Sequence, residues 1–126
     1  MGFRLSIKVM DEKTMAEKEF GDDHKLYGYW KYEEVKDSFM VLYPLIKEQW
    51  PKLSDNSPES VYYTYFCAAG VTDELTISND VFKAFVKEYI ADLIKTFHDP
   101  ELVGNVALYL TKLCNKHPGN KILYWS

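Results

Sequence analysis

Between Leu75 and Phe97 the apolar residues recur at spacings of three and four: Val81, Phe82, Phe85, Val86, Tyr89, Ile90, Leu93, Ile94 and Phe97. That period puts them on one broad side of a helix, with Lys83, Lys87, Glu88, Asp92 and Lys95 on the other. Ser78, Asn79 and Asp80 can each accept hydrogen bonds from the free N–H groups of its first turn, and Leu75 to Ile77 before them is short and β-prone. The pattern predicts a strand, a cap and an amphipathic helix whose apolar face other elements must cover. A second helical stripe runs through Tyr32, Val35, Phe39, Leu42, Tyr43, Ile46 and Trp50. Pro44 interrupts it, and a missing N–H there predicts a kink or a break. A third stripe, Leu102, Val103, Val106, Leu110, Leu113 and Cys114, starts from Asp99 as N-cap with Pro100 at the first helical position and stops at His117-Pro118-Gly119-Asn120. Gly104 inside it predicts close approach of a neighbouring helix.

Strand patterns are shorter. Phe3, Leu5, Ile7 and Val9 alternate with Arg4, Ser6 and Lys8, the period-2 signature of a half-buried strand. Thr14 to Phe20 is read as a second strand, Gly21-Asp22-Asp23 as a turn, and Lys25 to Trp30 as an aromatic strand around Gly28. Lys52 to Glu59, with its Ser, Asp, Asn and Pro content, reads as the loop most suited to partner contact. Ser60 to Ala69 is nearly continuously apolar and is read as mostly strand-like, with a short helix begun at Ser57-Pro58-Glu59 as the alternative. Ile122 to Trp125 is expected to add a last edge strand or to pack as an aromatic tail. The expectation is an α+β fold: a small N-terminal antiparallel sheet packed against about three amphipathic helices.

With 126 residues, 47% hydrophobic and 27% charged, the chain suits one domain spanning 1–126, since two halves would each be marginal. No apolar run approaches the roughly 20 residues needed to span a bilayer, and Met1 to Met10 carries Arg4 and Lys8 in an alternating pattern unlike a signal-peptide core. A cytosolic protein without membrane contact is expected, and in that compartment Cys67 and Cys114 are read as small core thiols and not a disulfide. The net charge of −4 is localised: Asp11, Glu12, Glu17, Glu19, Asp22 and Asp23 against Lys13 and Lys18 account for all of it. Direct nucleic-acid binding needs Lys and Arg gathered on one face and is therefore disfavoured.

Catalytic chemistry finds little footing. His24 lies in the acidic turn, and His98 and His117 stand at helix C-termini, where the helix dipole accounts for them. Cys114 and His117 are three apart, yet a structural zinc site wants four ligands and no matching second pair exists. No phosphate-binding glycine loop and no nucleophile elbow is present. No cofactor, metal or catalytic site is expected. Aromatic residues, 16% of the chain, bunch at Tyr27, Tyr29, Trp30 and Tyr32 and again at Tyr62, Tyr63, Tyr65 and Phe66. Such side chains either fill a core or anchor an interface, and core burial is the commoner fate.

The order MGFRLSIKV, then EFGDDHKLYGYW, then ELTISNDVFKAFVKEYIADL resembles small uncharacterised proteins of bacteriophages and prophages of Gram-positive bacteria. The resemblance implies a phage or mobile-element origin and a place in the host-cell cytosol, and it carries over no functional residue. The Pro44-containing helix, the 52–59 loop and the segment after Asp99 depart from that pattern. The function expected is that of a non-enzymatic accessory protein that binds a host protein, inhibiting or modulating a defence or nucleic-acid-handling factor through an acidic and aromatic surface. The residues expected to meet the partner are Glu17, Glu19, Asp22, Asp23, Tyr27, Tyr29, Trp30, Asp55 and Asn56. The alternative is a virion-assembly or tail-chaperone protein that self-associates as a homo-oligomer.

Overall fold

The computed structural model describes residues 3–9, 24–28, 31–53, 55–64, 74–96 and 99–125. Among them are strands β1 (Phe3–Val9), β2 (His24–Gly28), β3 (Leu75–Ile77) and β4 (Lys121–Trp125), with helices α1 (Tyr32–Gln49), α2 (Pro58–Tyr62), α3 (Asn79–Thr96) and α4 (Pro100–Lys116). A short 3₁₀ turn, Pro51–Leu53, follows α1. The class is α+β. The strands pair antiparallel in the order β2-β1-β4-β3, with Leu5 opposite both Leu26 and Trp125 and Leu75 opposite Leu123.

This arrangement corrects the expectation of an N-terminal sheet. The last strand lies inside the sheet between β1 and β3, so Ile122 to Trp125 is neither an edge nor a loose tail, and Leu75–Ile77 forms a border instead. Alternation along a strand reports which residues share a face and says nothing about how many neighbours the strand has. The β3 border is itself covered: Gln49 at the end of α1 accepts from the Thr76 N–H at 3.1 Å and donates to the Thr76 carbonyl. A side-chain amide thus occupies the place of a further strand, which blunts the edge against pairing with other chains. The strand read at Thr14 to Phe20 and the turn at Gly21 lie outside the described residues, as do Tyr29 and Trp30.

Helix α3 is the centre of the helical layer, packed between α1 and α4. Its starting cap is Ser78, whose Oγ accepts from the Val81 N–H at 3.3 Å. Phe82, Phe85, Val86, Tyr89 and Leu93 are buried and share one core with the α1 stripe of Val35, Phe39, Leu42 and Ile46, with Leu75 and Ile77 of β3, and with Leu123 of β4. Two residues of the predicted faces fall differently. Ile94 is 60% exposed although it belongs to the apolar period, and Asp92, read as solvent-facing, is 4% exposed. Asp92 stands seven residues after Phe85 and three after Tyr89, so it shares their face; its polarity, not its position, misplaced it.

Pro44 does not break α1, which runs on to Gln49. Proline withdraws the N–H that would bond the Met40 carbonyl, but Met40 and Pro44 both lie on the exposed side, where water can take that carbonyl. The helix is interrupted instead at Val35, whose φ of −122° and ψ of 15° leave the helical region. Ser60 to Ala69 is likewise not a strand where it is described. Ser57 accepts from the Ser60 N–H at 3.2 Å and Pro58 opens α2, so the local cap outweighs the β propensity of Val61 and Tyr62. Asp99 caps α4 as its sequence predicts, accepting from Glu101 and Leu102 at 3.1 and 3.2 Å. Gly104, however, has open space around it and marks no close approach.

Truncating the central face should be severe: Phe85→Ala is expected to destabilise the fold by roughly 3 to 5 kcal/mol in chemical denaturation, the range for a buried Phe. Gly104→Ala should do the opposite. With nothing for the new methyl to meet, restored helix propensity is expected to raise stability by about 0.5 to 1 kcal/mol, read as a higher denaturation midpoint at unchanged slope.

Candidate functional site

Tyr32 of the first aromatic cluster meets Tyr62 of the second where the start of α1 lies against α2. Tyr32 reaches the Tyr62 ring at 5.5 Å between centroids, Phe39 meets Tyr62 edge-on at 5.6 Å, and Tyr62 meets Tyr63 edge-on at 5.4 Å. Tyr32, Phe39 and Tyr62 are buried, while Tyr63 is 44% exposed. The question of core or interface therefore has a divided answer. Three rings build the core and a fourth extends the stack to the surface, packed on one side against the buried Tyr62 ring. Rigid aromatic surface of this kind loses little rotamer freedom on binding.

Carboxylates gather around it. Glu33 in the first turn of α1 and Glu59 in the first turn of α2 are both exposed, and both act on the Tyr32 phenol. Burial first, then Glu59, Tyr43 and Glu33, push its pKa above the ordinary 10.0. Each acid stands near the N-terminus of a helix, where negative charge is favoured. Asp55 and Asn56 form the exposed turn leading into α2, and that turn is anchored: the Tyr43 hydroxyl donates to the Asn56 carbonyl, and the Asn56 N–H donates to Leu53 at 3.0 Å. The loop singled out in the sequence is thus tied to α1 on one side and to α2 on the other.

Of the predicted contact residues, Asp55 and Asn56 are exposed, in the turn that Tyr43 anchors. Tyr27 lies on β2, in register with Arg4 of β1. Glu17, Glu19, Asp22, Asp23, Tyr29 and Trp30 lie outside the described residues. Sequence reading missed Glu33, Glu59 and Tyr63 as a group. Helical spacing over Ser57 to Tyr63 places Glu59 and Tyr63, four apart, on one side of a turn, but the nearly continuous apolar run from Ser60 favours a strand reading, with the helix begun at Ser57 as the alternative.

A second polar group lies inside the fold. The Lys121 side chain is fully buried, and its ammonium donates to Asn79 Oδ1 at 2.9 Å, to the Gly119 carbonyl at 2.6 Å and to the His117 carbonyl, beside the Phe82 ring at 5.2 Å. Asn79 in turn donates to the Cys114 carbonyl at 3.2 Å. All three ammonium donors are thereby used, and the positive charge sits at the C-terminal end of α4 where carbonyls lack helical partners. A fully engaged ammonium has no free lone pair with which to act as base or nucleophile. Lys121 joins the start of α3, the end of α4 and β4, and its role is structural. His117 is buried beside it, and burial raises the pKa of the free Cys114 thiol while Lys121 and Lys83 oppose that shift. Among the described residues no three His, Cys, Asp or Glu side chains gather to hold a metal ion, and no helix is long and apolar enough to cross a membrane.

No known family model matches the chain, and neither curated proteins nor solved structures provide a match.

The buried phenols set an alkaline limit. Burial raises the pKa of Tyr89 as it does that of Tyr32, with Asp92 adding to the effect. Unfolded tyrosines ionise near 10.0 while these two keep their protons in the fold, so unfolding gains as pH climbs past that value. The thermal midpoint should therefore fall between about pH 9 and about pH 11, and fall less in Tyr89→Phe.

Proposed function

We propose that this chain is a non-enzymatic accessory protein, of the kind carried by phages and mobile elements, that acts in the host cytosol by binding a host protein. The observation that carries the reading is the exposed Tyr63 ring packed on the buried Tyr62, with the Glu59 and Glu33 carboxylates acting on the neighbouring Tyr32 phenol and Asp55 exposed in the turn before α2. A rigid aromatic anchor with an acidic surround suits a basic partner surface such as the channel of a nucleic-acid-handling or defence enzyme. Steering by such charges is strongest at low salt and is screened within about 8 Å at physiological ionic strength. The acidic segment from Asp11 to Asp23 would add to the same field.

A second reading is kept because a separate observation favours it. Ile94 on α3 and Leu102 and Leu108 on α4 are 60%, 43% and 57% exposed, which is apolar surface suited to self-association in an assembly or tail-chaperone role. Light scattering after size exclusion separates the readings. A monomer at high concentration counts against assembly.

The binding reading is tested by affinity capture from bacterial lysate at low and high salt, using the parent chain beside Tyr63→Ser and a double change Asp55→Lys, Glu59→Lys. The expected outcome is a partner held at low salt, released as salt rises, and lost with either variant while both variants melt like the parent. Capture that ignores salt and both variants would reject this surface as the binding site.

A further inference from the structure

Helix α4 is buried over only part of its length. Its buried residues, Leu110, Leu113 and Cys114, all fall in its second half. No residue from Pro100 to Tyr109 is buried, although Leu102, Val103, Val106, Leu108 and Tyr109 are apolar. Leu108 is the clearest case. It stands two positions before the buried Leu110, nearly opposite it around the helix, and is 57% exposed. Glu101, Gly104, Leu108 and Lys112 follow one another at spacings of three and four and are all exposed, so they form one outward row. An acid opens the row, a base closes it and a leucine lies between. Gly104 adds a gap beside that leucine, because a Cβ built on it would meet no heavy atom within 4 Å.

We propose that this row is where two copies of the chain pair, α4 against α4, antiparallel about a twofold axis at the level of Val106. The proposal names a partner and a face for the self-association reading, on which it rests, and makes no use of the Tyr63 surface. A twofold contact must be self-complementary: the patch on one copy has to fit the same patch reversed. The row has that property. With the axis at Val106, Leu108 of each copy falls opposite the partner's Gly104, where no side chain competes for the space. Glu101 falls within one residue of level with the partner's Lys112, an offset of about 1.5 Å along the helix. Symmetry makes that ion pair twice. A parallel pair would instead set Glu101 beside Glu101 and Lys112 beside Lys112, so the charges select the antiparallel arrangement. An unrelated protein has no reason to carry this pattern in reverse, whereas a second copy carries it by construction.

Sedimentation equilibrium over a concentration series tests this on the intact chain, beside Leu108→Lys, Glu101→Lys, Lys112→Glu and the double reversal Glu101→Lys, Lys112→Glu. All three positions are exposed, so each variant should keep the circular dichroism of the parent. The expected parent is a dimer at high concentration, with a thermal midpoint that rises with concentration. Leu108→Lys should be a monomer at the same concentration, and its midpoint should not rise. Each single reversal should raise the dimer Kd about tenfold, since symmetry counts every pair twice, and the double reversal should bring it back near the parent value. A parent that stays monomeric would overturn this contact and the self-association reading together. A parent oligomer that survives Leu108→Lys, or whose Kd the double reversal does not restore, would overturn the α4 contact alone and leave self-association to another face.

Discussion

Burial of one side of α3 is the constraint from which the rest of the structure follows. Phe82, Phe85, Val86, Tyr89 and Leu93 are too large and too many to be covered by one neighbour. At about 1.5 to 3 kcal/mol for each large side chain removed from water, this face alone outweighs any local preference elsewhere in the chain. Helix α1 covers one flank and α4 the other, and Leu75, Ile77 and Leu123 of the sheet join the same core. The position of β4 inside the sheet follows from the same demand. Leu123 and the Lys121 stem lie on the buried side, and only an interior strand next to β3 brings both there.

Two of the buried polar side chains among the described residues serve backbone termini. Lys121 supplies donors to carbonyls at the end of α4, and Asp92 supplies an acceptor to the restart of α1. In each case the cost of taking a charge out of water is offset by hydrogen bonds to groups that would otherwise stay unpaired. The two differ. Lys121 has its three donors engaged by oxygens, whereas Asp92 accepts from Ser38 while its burial and the Asp37 charge disfavour the anion.

The proposed binding surface depends on the core in the same way. In that proposal Tyr63 serves as the anchor, packed on the buried Tyr62 against which Tyr32 and Phe39 also pack. The acids beside it owe their positions to helix starts. Glu33 and Glu59 each occupy a first turn, one set by the Lys31 and Glu34 pairing and one by the Ser57 cap.

Local periodicity and capping chemistry determined the helices of this protein: the stripes of α1, α3 and α4, the Asp99 and Ser78 caps and the short strand at Leu75 are all readable from residues a few positions apart. The α+β class follows from them. What lay beyond the sequence is what depends on distant partners. The break at Val35 instead of Pro44 goes with an acceptor 54 residues away, the interior place of β4 needed pairing with β1 on one side and β3 on the other, and the meeting of Tyr32 with Tyr62 needed α2 to fold back on α1. Asp92 shows the reason most plainly. Its sequence position is that of a core residue and its chemistry is that of a surface residue, and only the tertiary contact with the Ser38 N–H decides between them.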